Sequence, residues 1–191
     1  MSRTLRYSLI CLLIVLTPST VTAKRRQNDG EVVITMRNGQ PCFSYPMDNE
    51  IRKKKYYFYS LAVSNKRPND SGGWAIQIAN SNKKGLLEPN NPERCIKYGV
   101  ITPKMEEIFT AVPLLANTPY HVRLSVSGAA EEGALVERVY RSDFCLSRNA
   151  KGEKIIVGAV WDDKTDAPRC LKPGESPKRS LWQRLLRFLS R

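Results

Sequence analysis

The chain has 191 residues, with 31 Lys and Arg against 18 Asp and Glu, a formal charge of +13, one His and five Cys. A lone histidine excludes a multi-histidine metal centre, and the cationic balance favours anionic partners such as acidic proteins or membrane surfaces. The length suffices for one domain with its own hydrophobic core.

Residues 1–23 have the three-part form of a secretory signal. Arg3 and Arg6 give a basic start, Leu9–Leu16 an apolar run, and Val21-Thr22-Ala23 a small-residue cleavage site. The run is shorter than the roughly 20 residues a membrane span needs. Cys11 would leave with it, so Cys42, Cys95, Cys145 and Cys170 remain. An even number in an exported chain predicts two disulfides in an oxidising compartment, with all three pairings open. Export also removes nucleic acid from the expected partners.

From residue 24 to residue 161 nearly every periodic segment alternates with period two, the mark of half-buried strands. Glu31–Met36 is strand-like, and Asn38-Gly39 is a hairpin turn signal leading into Pro41–Tyr45. In Tyr56–Val63 the alternation places Tyr57, Tyr59, Leu61 and Val63 on one face and Tyr56, Phe58, Ser60 and Ala62 on the other. Trp74, Ile76 and Ile78 share a face, and Asn69-Asp70-Ser71 in the preceding loop is a glycosylation sequon. The pattern fades between Lys83 and Pro113, where Cys95–Val100 is a short apolar stretch and Met105–Thr110 reads as one helical turn. Alternation returns with Tyr120, Val122, Leu124 and Val126, then Val136–Cys145, an Asn149–Gly152 turn, and Lys154–Trp161. Seven or eight such strands, roughly, predict an all-β sandwich.

Leu114-Leu115-Ala116-Asn117-Thr118-Pro119-Tyr120 opens one of these strands and resembles the tyrosine corner of fibronectin type III domains, matching at Leu114, Thr118 and Tyr120. The resemblance implies an immunoglobulin-like sandwich in which the tyrosine hydroxyl bonds back to the upstream backbone. Residues 162–176 read as a turn-rich linker, after which Ser176-Pro177 signals a helix start. Residues 177–191 form a basic amphipathic helix in this reading. Leu181, Trp182, Leu185, Leu186, Phe188 and Leu189 lie on one side and Gln183, Arg184, Arg187, Ser190 and Arg191 on the other. Docking on the sandwich and lying in an anionic membrane interface both fit this pattern.

The search for catalytic chemistry finds no G-x-S-x-G elbow, no phosphate-binding glycine loop, and no zinc or calcium spacing. His121 alternates onto the sheet face opposite Tyr120 and Val122. The pairs Glu106-Glu107, Glu131-Glu132 and Asp162-Asp163 are neighbours in the chain and carry no sign of facing each other across a cleft. The expectation is a non-enzymatic protein without cofactor or metal.

Further motifs point to a family. Asp29-Gly30-Glu31-Val32, Asn38-Gly39-Gln40-Pro41-Cys42-Phe43-Ser44, Asp48-Asn49-Glu50, Cys95-Ile96-Lys97-Tyr98-Gly99 and Phe144-Cys145-Leu146 resemble type VI secretion immunity periplasmic lipoproteins of bacteria. Two features depart from them: Cys11 lies inside the apolar run without the small residues a lipidation site needs, and the amphipathic tail lies beyond the family core. The resemblance implies a periplasmic protein that protects its cell by binding an incoming toxin. The expected contacts with an acidic partner are Lys53, Lys54, Lys55, Lys66 and Arg67. The alternative is an envelope structural or assembly module, or a protein held at a membrane surface by its basic C-terminal helix.

Overall fold

Two residues with positive φ start the fold. Asn38 (φ 52°) and Gly39 (φ 74°) occupy the left-handed region that a type I′ hairpin turn requires at both central positions. They join β1 (Val33–Arg37) to β2 (Gln40–Ser44), in register from Arg37 opposite Gln40 to Val33 opposite Ser44. The computed structural model describes residues 29–47, 56–66, 73–79, 89, 91–129 and 135–176. The leader 1–23, Lys53–Lys55, Arg67, the sequon and the expected helix 177–191 lie outside the described residues.

The remaining strands are β3 (Tyr56–Asn65), β4 (Gly73–Ile78), β5 (Ile96–Lys97), β6 (Met105–Phe109), β7 (Tyr120–Ala129), β8 (Leu135–Arg148), β9 (Lys154–Asp162) and β10 (Ala167–Cys170). A 3-10 turn, Pro92–Arg94, is capped by Asn91, whose side chain accepts from the Glu93 and Arg94 amides. No α-helix occurs among the described residues. The strands form two antiparallel sheets, a small one ordered β1-β2-β5 and a large one ordered β10-β9-β8-β7-β3-β4-β6.

Burial sets which face each strand turns inward. Along β7, Tyr120, Val122, Leu124 and Val126 are all buried, as simple alternation predicts. In β3 alternation breaks, because the pairing with β7 slips between Phe58 and Ser60. This bulge inserts Tyr59, which is exposed, and switches the phase of the strand. Tyr56 and Phe58 therefore point into the same core as Leu61 and Val63, where uninterrupted alternation sets them on opposite faces.

Aromatic rings fill the space between the sheets. Phe43 meets Phe144 edge-on at 5.8 Å, Tyr45 stacks on Tyr140 at 5.4 Å, and Trp74 meets Tyr98 edge-on at 5.0 Å. Each pair joins the small-sheet side to the large sheet, in the offset geometries that rings prefer. The chain before β1 adds a further tie. β9 pairs with β8 only along residues 144–148 and then turns to β10, which leaves the edge of β8 at 139–142 open. Residues 29–32 run parallel along it, with Asp29 N–H donating to Val139 O (2.9 Å) and Arg141 N–H to Gly30 O (3.0 Å).

Two expectations are corrected. Met105–Thr110 is not a helical turn; Met105–Phe109 is strand β6, paired with β4. Met, Glu and Ile suit either state locally, and the open edge of β4 decides between them. Residues 162–176 are not merely a linker, since they contain β10. Cys170 there bonds to Cys145, and buried Leu171 packs against Gly158.

The second disulfide joins Cys42 to Cys95, so the pairings are Cys42–Cys95 and Cys145–Cys170. They mark an oxidising, extracytoplasmic setting. The bridges close loops of 53 and 25 residues, for which loop-closure entropy gives about 4.2 and about 3.5 kcal/mol. Chemical denaturation of the paired Cys→Ser variants is expected to show the larger loss for Cys42/Cys95. The reverse order would mean that strain or denatured-state structure, and not loop length, sets the contribution.

Candidate functional site

Three places on the described surface carry side chains that chemistry could use. The first is ionic. His121 on β7 stands directly opposite Asp143 on β8, and Lys66 follows the end of β3, where its N–H donates to Pro119 O (3.0 Å). Asp143 Oδ2 accepts from Lys66 Nζ at 2.6 Å, and its Oδ1 lies 2.7 Å from His121 Nδ1. Burial pushes the Asp143 carboxyl up, but hydrogen bonds from His121 and Lys66 and the nearby Lys66 charge outweigh it and hold the group below its ordinary value.

His121 and Asp143 border a cleft of about 520 Å³ that also meets Glu31, Arg141 and Ser142. Ser142 Oγ donates to Val32 O at 3.0 Å, so its hydroxyl is committed to the backbone and not to His121. The cleft rim ends at Glu175, which forms a two-pronged pair with Arg169 (2.8 and 3.2 Å). That pair and the Lys172 amide hold the Glu175 carboxyl at about 2. Among the described residues no group of His, Cys, Asp and Glu is arranged to hold a metal ion. What the ionic cluster does is tie the end of β3 to β7 and β8. Lys66 is thus half-buried and paired, not the free surface cation expected of a partner contact.

The second place is the corner before β7. Tyr120 Oη accepts a hydrogen bond from Leu115 N–H at 2.9 Å, five residues upstream. Thr118 is buried, Leu114 packs on the core, and Asn117 takes a positive φ of 55°. Asn117 N–H also donates to Leu146 O at 2.8 Å. The main chain is held from both sides here, so the side chains it presents outward have fixed positions.

The third place is apolar, and sequence periodicity does not single it out. Val100, Ile101, Ile108, Phe109, Val112 and Leu115 are all exposed, Phe109 by 65% and Leu115 by 61%. They belong to one stretch of chain, from the end of β5 to the corner before β7. β6, which carries Ile108 and Phe109, is the last strand of the large sheet, and its outer edge meets no further strand among the described residues. A second slip in register, between Ala75 and Ile76, accompanies its pairing with β4. Several exposed apolar side chains in one stretch of chain make it the candidate interaction surface. The available signal was compositional: an Ile-Phe pair and a Val-Pro-Leu-Leu run without the polar partners that alternation requires.

Compared with known proteins, the chain matches no family model, no curated protein and no solved structure.

Two consequences are measurable. The lowered Asp143 pKa means that its ion pairs stabilise the fold above the unfolded carboxylate value of about 3.9, and that the contribution is lost as pH falls through the folded value. Asp143→Asn is expected to cost about 1–2 kcal/mol at neutral pH, with the gap to wild type closing below about pH 4. A gap of equal size at both pH values would place the effect in packing. At the corner, Tyr120→Phe leaves the Leu115 amide without its acceptor and is expected to cost about 1 kcal/mol. A melting temperature unchanged from wild type would remove the corner from the stabilising contacts.

Proposed function

We propose that the protein is a non-enzymatic binding module of the cell envelope, an immunity-type protein that neutralises a secreted toxin by covering part of its surface. The observation that carries this reading is the exposed apolar stretch from Val100 to Leu115, presented on a held main chain. The charge of the chain without residues 1–23, 29 − 18 = +11, would steer an acidic partner towards it. The periplasm is the compartment proposed, in keeping with the two disulfides.

The fold reading within this proposal is an immunoglobulin-like sandwich of the fibronectin type III kind. Strands β1-β2-β5 correspond in order to A-B-E, and β8-β7-β3-β4 to G-F-C-C′. The tyrosine at the start of β7 then falls where the corner tyrosine of strand F belongs. β9, β10 and β6 extend the large sheet beyond that core. One observation favours a second reading, an envelope assembly module: among the described residues the outer edge of β6 meets no strand, and such an edge can accept a strand from another chain.

The test is affinity capture from an envelope fraction with wild type and with the double variant Phe109→Asp, Leu115→Asp. Interface hot spots lose about 2 kcal/mol or more on truncation. Wild type is therefore expected to retain an acidic protein whose toxicity it suppresses, and the variant to bind it at least tenfold more weakly. Capture of a pilus-like subunit through β6 would favour assembly. A partner held equally by both forms would refute the apolar surface as its site.

A further inference from the structure

We propose that a groove at the β5–β7 connection seats one apolar side chain of the partner while an acidic side chain beside it pairs with Lys154. The inference rests on the binding-module reading and specifies what that module recognises.

The groove has a volume of about 370 Å³. Pro41 on β2, Tyr98 just past β5, Val112 and Leu114 in the connection, and Leu146 on β8 form its apolar walls. These residues come from both sheets, so the groove exists only in the folded protein. Several bonds build it in advance. Tyr98 N–H donates to Pro41 O (2.9 Å), and Tyr98 Oη donates to Val112 O (2.8 Å). Burial and the neighbouring Tyr120 push the Tyr98 hydroxyl up to about 12, so it stays a donor at any physiological pH. Gly99 adopts φ 70°, and a Cβ placed there would lie 3.4 Å from the Ala111 methyl. The wall positions therefore do not need to be ordered by the ligand, which lowers the cost of binding.

Charge decides the chemistry of the occupant. Lys154, at the start of β9, is the charged residue in the lining; it is exposed and meets no carboxylate among the described residues. Its neighbour Glu153 is engaged with Asn149 through Oε2 (2.7 Å). Apolar side chains lining a groove together with Gln40 and one unpaired cation suit an apolar side chain adjoining Asp or Glu. The surroundings point to a protein and not a small molecule. Val100, which lines the groove, leads to exposed Ile101, and Leu114 leads to exposed Leu115, so apolar surface continues past the rim on two sides. A metabolite filling the groove would leave that surface uncovered.

The probes are three capped peptides, acetyl-Asp-Leu-Asp-amide, acetyl-Asn-Leu-Asn-amide and acetyl-Asp-Ser-Asp-amide, titrated into the isotope-labelled, oxidised protein by NMR. For Asp-Leu-Asp, saturable shifts are expected at the Gly99, Val100, Val112, Leu114 and Lys154 amides with a Kd in the millimolar range. Both other peptides are expected to bind at least fivefold more weakly, and added salt to weaken the two Asp peptides but not Asn-Leu-Asn. Lys154→Glu is exposed and should keep the spectrum elsewhere while abolishing the preference for Asp over Asn. No saturable shift at these amides, equal binding of the serine peptide, or an unaltered preference in Lys154→Glu would each overturn the proposal. The outcome separates from that of the functional reading. Peptide binding as described, with no partner captured from the envelope, leaves the groove standing and removes the binding-module function. A captured partner that Lys154→Glu and Val112→Asp both leave untouched keeps the function and overturns the groove.

Discussion

The contact between the two sheets depends on three aromatic pairs, Phe43–Phe144, Tyr45–Tyr140 and Trp74–Tyr98. The small sheet has three strands, and β5 is only two residues long, too little main-chain pairing to persist without help. Burying Phe43, Tyr45 and Tyr98 against the large sheet supplies that help through the hydrophobic effect, the dominant favourable contribution in folding. The Cys42–Cys95 bridge acts at the same place. It joins the residue before Phe43 to the residue before β5, so the weakest strand is fixed covalently beside the ring that anchors it.

This arrangement also controls the surface. Because Tyr98 is committed both to Trp74 and to the Val112 carbonyl, the chain leaving β5 is drawn back against the connection that precedes β7. The Tyr120 hydroxyl and the Leu146 carbonyl hold the far end of that connection. Between these fixed points Ala111 and Leu114 pack on the core, and the other apolar side chains of the connection are left outside. Val112 remains outside in the groove it shares with Val100, and Leu115 is exposed. An apolar surface is thus a by-product of fixing the backbone, and a rigid one is what a binding site needs to avoid ordering costs.

The polar cluster works differently. Asp143 accepts from Lys66 and His121 on two other segments, so one carboxylate links the ends of β3, β7 and β8. The net contribution of such a half-exposed cluster is modest, since screening by solvent weakens each pair. Its value is positional: it fixes Lys66, and with it the turn into Pro119 and the corner. The Arg169–Glu175 pair does the same for the chain that follows β10.

Local chemistry alone carried several features. Asn38-Gly39 specifies its hairpin because few other residues tolerate two left-handed positions in a row. The alternation from Tyr120 to Val126 specifies the core face of β7, and the cysteine content specifies an oxidising setting. Other features depend on partners distant in the chain, and local pattern is blind to those. Met105–Phe109 becomes a strand because β4 offers an edge, and Ala167–Cys170 because β9 does. The bulge at Tyr59 answers to β7 and reverses which residues of β3 are core. Lys66 looks like any surface lysine until Asp143, 77 residues away, arrives beside it. The groove could not be read at all, because its walls come from four separate stretches of chain that meet only when the two sheets close. Periodicity reports the face a residue shows along its own strand; only the packed sheets decide what that face meets.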